Sequence, residues 1–504
     1  MSSPQPVASE TEIDEGQSST CLLFEVPPEI LLQIIKFVQV GDLVNFMSSS
    51  KALYKFDRKS LYLHRRYKRS WTYVGLNGCQ FSSFWILDEL LRGRPLHAYI
   101  RSLAIGPRHD KDIEQYVDDT FVWRDGGLRD LYLANISKTL NAIGVNAPKL
   151  MHQLREKSLV APLITIMYLL PRLSHLKLNA WCWFSGVFHD LLAELILQSH
   201  MNSTLSNAPL RKLVDIEIIH DSELEQYHVA GLFNSRYNTF DHLASFAQLR
   251  SLKTLKGIGL VDQEDRYGPK TWCAVPARSS SVESLTLVDC KIHPESFERC
   301  LMAFKSLKTF TFEAYAPNHL SRNVLENARS VALIKAMINH SFLPKLEHLI
   351  LDLRSDIADR ISLPGPAIVL EDFKHLKSLK IHLAWVLDPL ASFSILEKRP
   401  LNETEQGLRA LARLAFLPLH LRCPLFLKLL PRSIEEVELD GKIKVNPDIM
   451  DMLDPIERRK VTNAPLLRKI TFNEAQRLNP ERDARILKFL EKRCANIGVE
   501  LVIR

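Results

Sequence analysis

One short spacing recurs along most of this chain: apolar-x-x-apolar-x-apolar. It stands as Ile100-x-x-Leu103-x-Ile105, Leu173-x-x-Leu176-x-Leu178, Leu213-x-x-Ile216-x-Ile218, Val282-x-x-Leu285-x-Leu287 and Leu307-x-x-Phe310-x-Phe312. It returns as Leu346-x-x-Leu349-x-Leu351, Leu376-x-x-Leu379-x-Ile381, Ile434-x-x-Val437-x-Leu439 and Leu467-x-x-Ile470-x-Phe472, with a weaker copy at Leu252-x-x-Leu255-x-x-Ile258. Side chains alternate across a strand, so the last three positions of each copy read as a strand with one apolar and one polar face. Such strands must share a common core, because none can bury its apolar face alone.

Helical stretches precede several copies: Leu163 to Leu170 before Pro171, Phe297 to Phe304, Val331 to Met337, and Leu425 to Leu430 before Pro431. Helix, short break and L-x-x-L-x-L strand together resemble the unit of a leucine-rich repeat. At Val282-x-x-Leu285-x-Leu287-x-x-Cys290-x-Ile292 the consensus is complete, and it assigns Cys290 a structural role, plugging the turn after the strand. The copies are unevenly spaced, so the array carries insertions. The resemblance implies an α/β fold: an irregular solenoid with a curved parallel sheet over residues 71–504. Its first copy lies near 100–105, its clearest copies span 163–472, and a cap of helix and strand covers 480–504. An unrelated α/β sheet of parallel strands would give a similar pattern.

The N-terminus differs. Residues 1–21 are rich in Ser, Thr, Pro, Gln and Glu and read as a disordered acidic tail. Residues 22–70 are dense in apolar residues at helical spacing. Pro27 and Pro28 suit the start of a helix, Glu29 suits its positive end, and Ile30, Leu31, Ile34, Ile35, Phe37 and Val38 cover much of its surface. Asp42 is the expected N-cap of a second helix, and a third stretch runs from about Leu53 to Leu63. Helices this short and apolar leave an apolar patch open, which marks a protein interface.

The stretch Val26-Pro27-Pro28-Glu29-Ile30-Leu31-Leu32-Gln33-Ile34, followed by Asp42-Leu43 and Ser50-Lys51-Ala52-Leu53, resembles an F-box. In that family the opening is Leu-Pro-x-Glu, and a Trp stands where this chain has Leu53. The resemblance covers about a tenth of the chain. It implies docking onto the Skp-family adaptor of a cullin–RING ubiquitin ligase through Pro27, Pro28, Glu29, Ile30, Ile34 and Leu43. With the repeats behind it, it implies a non-catalytic substrate receptor that is cytoplasmic, nuclear or both, with an unknown protein as substrate.

Composition agrees with a folded chain. Of 504 residues, 46% are apolar and 24% charged, which excludes wholesale disorder. The longest apolar run, Leu159 to Leu170, is too short to span a membrane, which needs about 20 residues. Eight cysteines with no C-x-x-C pair suggest neither a disulfide framework nor a zinc site. The net charge of +7 is mild for this length and does not point to nucleic acid. The run His64-Arg65-Arg66-Tyr67-Lys68-Arg69 stands out locally. It reads as the solvated end of a helix, as a nuclear localisation signal or as a nucleic-acid patch.

No H-E-x-x-H, G-x-S-x-G or phosphate-loop motif occurs, and no cofactor or metal is expected. On a solenoid, the polar positions between the repeat leucines would form the substrate face: His175, Lys177, Asn179, Glu217, Thr286, Thr309, Thr311, His348, Lys380, His382, Glu438 and Lys469, with Trp181 as an aromatic anchor. Two other functions fit the same residues. One is an F-box scaffold acting outside a ligase; the other is an α/β enzyme whose site residues are dispersed.

Overall fold

The computed structural model describes residues 26–38, 42–77, 80–92, 95–106, 126–156, 160–179, 186–201, 208–220, 239–262, 272, 275–290, 292, 294–314, 343–353, 370, 373–382, 430–440, 443–444, 460, 464–473, 475–476 and 480–504. The tail at 1–21, Trp181, the stretch Val331 to Met337 and residues 425–429 lie outside them. The chain divides into two compact units, Met1–Thr72 and Tyr73–Arg504.

The first unit holds helices α1 (Pro28–Phe37), α2 (Leu43–Ser48), α3 (Lys51–Phe56) and α4 (Arg58–Trp71). Pro28 stands at the start of α1 and Glu29 in its first turn, where a missing N–H and a negative charge cost least. Leu31, Ile35, Leu43, Met47, Leu53 and Leu61 form the core. Two local expectations change. Asp42 occupies the N-cap of α2 without making a side-chain cap bond. The stretch expected as one helix from Leu53 breaks at Asp57, whose carboxylate accepts from Ser60 N at 2.9 Å and starts α4.

The second unit is an α/β array. Its strands are β1 (Tyr73–Asn77), β2 (Ser102–Gly106), β3 (His175–Asn179), β4 (Asp215–Ile219), β5 (Thr254–Ile258), β6 (Ser284–Val288) and β7 (Thr309–Ala314). They continue as β8 (His348–Leu353), β9 (Ser378–His382), β10 (Glu436–Asp440), β11 (Ile443–Lys444), β12 (Lys469–Phe472), β13 (Ala475–Gln476) and β14 (Glu500–Ile503). Twelve of them form one parallel sheet in the order β1-β2-β3-β4-β5-β6-β7-β8-β9-β10-β12-β14, and β11 pairs with β13. Doubly wound sheets reverse their strand order at a switch point. Here the order never reverses, so each crossover lays the next strand on the same side, as in a solenoid. All ten sequence copies are strands of this sheet, and β1 extends it beyond the first of them.

Pairing is in register, so equivalent positions line up from strand to strand. One inward row runs Leu176, Ile216, Leu255, Leu285, Phe310, Leu349, Leu379, Val437, Ile470. The other runs Leu178, Ile218, Gly257, Leu287, Phe312, Leu351, Ile381, Leu439, Phe472. Their apolar side chains are all buried. At about 1.5–3 kcal/mol for each fully buried large apolar side chain, these rows are the main stabilising term of the unit. In most copies the first apolar residue closes a turn before its strand: Leu213 N donates to Leu210 O at 3.0 Å and Leu346 N to Leu343 O at 3.1 Å.

Helices α5 (Gln80–Leu91), α6 (Gly126–Ala142), α7 (Pro148–Arg155), α8 (Ala161–Leu169), α9 (Gly186–Met201), α10 (Asp241–Ala247) and α11 (Pro294–Ala303) lie in the crossovers, and α12 (Pro480–Asn496) precedes β14. α8 is apolar all round and buried at every residue, packed among α5, α7 and α9.

The turn after β5 and β6 is built the same way twice. Gly259 and Asp289 are both left-handed, with φ of 65° and 52°, and their N–H groups donate to Val288 O and Glu313 O at 2.7 Å. Asp tolerates this backbone. At Gly259 a β-carbon would also lie 2.1 Å from the carbonyl oxygen of His220. The Cys290 thiol fills the space beside it, donating to Gly257 O at 3.6 Å and Val288 O at 3.4 Å. Burial pushes its pKa up to about 12, so it is a structural plug rather than a nucleophile. A Gly259→Ala variant should lose at least about 1 kcal/mol of stability, read as a lower urea midpoint, whereas Gly498→Ala, whose β-carbon meets no backbone atom, should lose less.

Candidate functional surfaces

Two surfaces carry the residues singled out by sequence. The first is on α1. Ile30 and Ile34 sit one turn apart, about 100° around the axis from Leu31 and Ile35. Leu31 and Ile35 are in the core, while Ile30 is 44% exposed and Ile34 half-buried. α1 therefore has two apolar stripes, and the unit's own core uses only one. Pro27, Pro28 and Glu29 are exposed at its entry. Leu43 is different: it is buried in the core, so its part is to hold α2 in place rather than to offer a docking side chain. Leu53 is likewise a core residue, only 1% exposed.

The second surface is the polar face of the sheet. Its first row runs His175, Asp215, Thr254, Ser284, Thr309, His348, Ser378, Glu436, Lys469, Glu500. Its second runs Lys177, Glu217, Lys256, Thr286, Thr311, Ile350, Lys380, Glu438, Thr471. Most of the expected substrate-face residues are thus brought into two adjacent lines. Two are not accessible: Asn179 at 5% and Thr311 at 7% exposure are buried, Thr311 between Thr286 and Ile350 in the neighbouring strands. Trp181 lies outside the described residues, and His382 is placed only as the end of β9.

The charges on this face pair across strands. Glu217 lies 3.3 Å from Lys177 and 3.0 Å from Lys256. Burial pulls its carboxyl up, but the two ammonium groups outweigh it and hold the pKa below the usual range. At the other end Lys380 bridges Glu438 at 3.1 Å and Asp440 at 3.3 Å, and Asn473 donates to both carboxylates. Burial again opposes ionisation of Glu438, and Lys380 with Asn473 reverses the balance. His175 is 3.4 Å from Asp215 and Lys469 3.9 Å from Glu500. Between the two paired clusters the two rows carry hydroxyls, at Thr254, Ser284, Thr286, Thr309 and Ser378, with His348 beside them, and Glu313 and Asp352 stand next to each other at the far ends of β7 and β8.

Sequence reading missed a third line, one residue before each strand. Lys253, Glu283, Lys308, Glu347, Lys377, Glu435 and Arg468 follow the first apolar residue of seven successive copies, and their signs alternate. Backbone bonds join them in that order, from Glu283 N to Lys253 O through Arg468 N to Glu435 O. Glu283 takes Lys253 at 2.5 Å and Lys308 at 2.7 Å, Glu347 takes Lys377 at 2.6 Å, and Arg468 is 3.9 Å from Glu435. The two lysine hydrogen bonds bring the Glu283 carboxyl down to about 2. The signal was in the sequence, but it shows only when the copies are stacked in register.

Among the described residues no group of three or more His, Cys, Asp or Glu side chains is placed to hold a metal ion, and no helix is long and apolar enough to cross a membrane. No protein-family model matches the chain, and no curated protein matches it.

The lowered Glu283 pKa sets the sign of a pH effect. Its contribution is complete above the ordinary carboxylate pKa and is lost as pH falls from about 4.5 towards about 2. Wild type should therefore be modestly more stable than Glu283→Gln at pH 7, with the difference narrowing below pH 5 and shrinking in high salt. Urea midpoints of the two proteins across pH 7 to 3 measure it.

Proposed function

We propose that this chain is a non-catalytic substrate receptor of a cullin–RING ubiquitin ligase. In this reading the N-terminal helical unit is an F-box-like module that docks onto a Skp-family adaptor. The array behind it is an irregular leucine-rich-repeat scaffold that holds a protein substrate on its polar face. The carrying observation is the second apolar stripe of α1, Ile30 and Ile34, left open beside a core stripe already satisfied by Leu31 and Ile35.

The chemistry of the array supports a binding role. The carboxylates of the polar face are held ionised by neighbouring lysines, which suits pairing and leaves Glu217 and Glu438 poorly tuned to exchange protons near neutrality. The hydroxyl-lined stretch between the paired clusters can hydrogen-bond an extended polypeptide, and Glu313 and Asp352 at its end would favour a basic group there. A receptor of this kind acts by proximity, raising the effective concentration of substrate lysines near a ubiquitin-charged enzyme. Its place of action would be the cytoplasm, the nucleus or both.

A pull-down of the intact chain beside an Ile30→Asp, Ile34→Asp variant tests this, with adaptor and cullin quantified. Each carboxylate on the docking stripe should cost more than about 1.4 kcal/mol, so capture should fall by well over tenfold. Leu31→Asp serves as the contrasting variant and should unfold the helical unit instead. Capture of adaptor without cullin would favour the scaffold outside a ligase. Undiminished capture by the double variant, or no capture by the intact chain, would sink the receptor reading.

A further inference from the structure

α4 carries a charge arrangement unlike the rest of the molecule. Its 14 residues hold Arg58, Lys59, Arg65, Arg66, Lys68 and Arg69 and no acidic residue. Leu61 and His64 face the interior. On a helical projection Arg58, Tyr62, Arg65, Arg66 and Arg69 fall within an arc of about 100° on the other side. All five are exposed, Tyr62 by 64%. The lysines of the polar face and its edge sit against carboxylates, whereas among the described residues none of these four arginines forms an ion pair.

The helix terminus accounts for only part of this. Cations in the last turn complement the helix dipole, but Arg58 and Lys59 stand in the first turn, where the dipole opposes them. A row of unneutralised arginines maintained against that cost fits an anionic polymer. From Arg58 to Arg69 the arc extends about 17 Å, a length that a few nucleotides of an extended single strand would cover. Arginine binds phosphate through a two-pronged fork, and an exposed aromatic ring in mid-row offers a base its face. The arc presents no apolar side chain besides Tyr62, so it lacks what a helix needs to seat in a lipid surface.

We propose that the outer arc of α4 docks single-stranded nucleic acid, with the phosphodiester backbone on Arg58, Arg65, Arg66 and Arg69 and a base stacked on Tyr62. This site is separate from the Ile30 and Ile34 stripe and does not depend on the ligase reading. It departs from the expectation drawn from net charge, which averages over the paired lysines of the array.

Fluorescence anisotropy of the full chain with labelled oligo-U and oligo-dT of about 20 nucleotides tests it across a salt series. Wild type should bind both, with an affinity that falls as salt rises. An Arg65→Gln, Arg66→Gln, Arg69→Gln variant should lower the log–log salt slope by about 2, at about 0.7 per lost phosphate contact. Tyr62→Ala should weaken binding about tenfold without changing the slope, and Tyr62→Phe should restore it. Among the described residues these side chains form no ion pair, and Gln is a good helix former, so circular dichroism of the variants should match wild type. Absence of binding at about 50 mM salt would overturn the proposal. So would equal competition by polyglutamate, tighter binding to phosphatidylserine vesicles, or a duplex preferred over the single strand with no effect of Tyr62→Ala.

Discussion

Everything in the larger unit rests on the in-register stacking of parallel strands. A five-residue strand such as β6 has no partner within its own repeat. Its backbone groups are satisfied by β5 on one side and β7 on the other, and its inward Leu285 and Leu287 are covered only because Leu255, Phe310 and Phe312 flank them. Register then decides the surface as well. Because each repeat places its outward side chains beside those of the next, chemistry separated by 25 or more residues in sequence becomes continuous in space. Glu283 meets Lys253 and Lys308 for this reason.

Much of this was legible in the chain. Alternation located ten strands of the sheet and the side of each that faces inward. β1 escaped because its copy is disguised: Trp71 supplies the first apolar position from inside α4, and Gly75 weakens the strand reading. The plug role of Cys290 was readable because its spacing from Leu285 and Leu287 is local. The break at Asp57 was not, since the apolar spacing runs on across it and only the bond to Ser60 N reveals a new start.

The surfaces were less legible. That Ile30 is open while Leu31 is covered depends on which neighbours pack against α1, and a helix with apolar residues on both stripes does not disclose that. On the polar face the sequence marks Lys177, Glu217, Lys380 and Glu438 as charged, but not that they neutralise one another. Nor does it show that Asn179 and Thr311 are withdrawn from solvent. Pairing on the array is also what gives α4 its distinctness, since a basic run acquires meaning only against lysines that are already occupied.

The alternating edge line has a consequence for how such an array can change length. Neighbouring strands lie about 4.8 Å apart. Remove one repeat between Lys253 and Arg468, and a lysine faces a lysine or a glutamate faces a glutamate across the gap. Remove two adjacent repeats, and opposite signs meet again. A change in length that kept the edge pairing intact would therefore add or remove repeats two at a time, so that for the charges the natural module is the pair of repeats and not the single one.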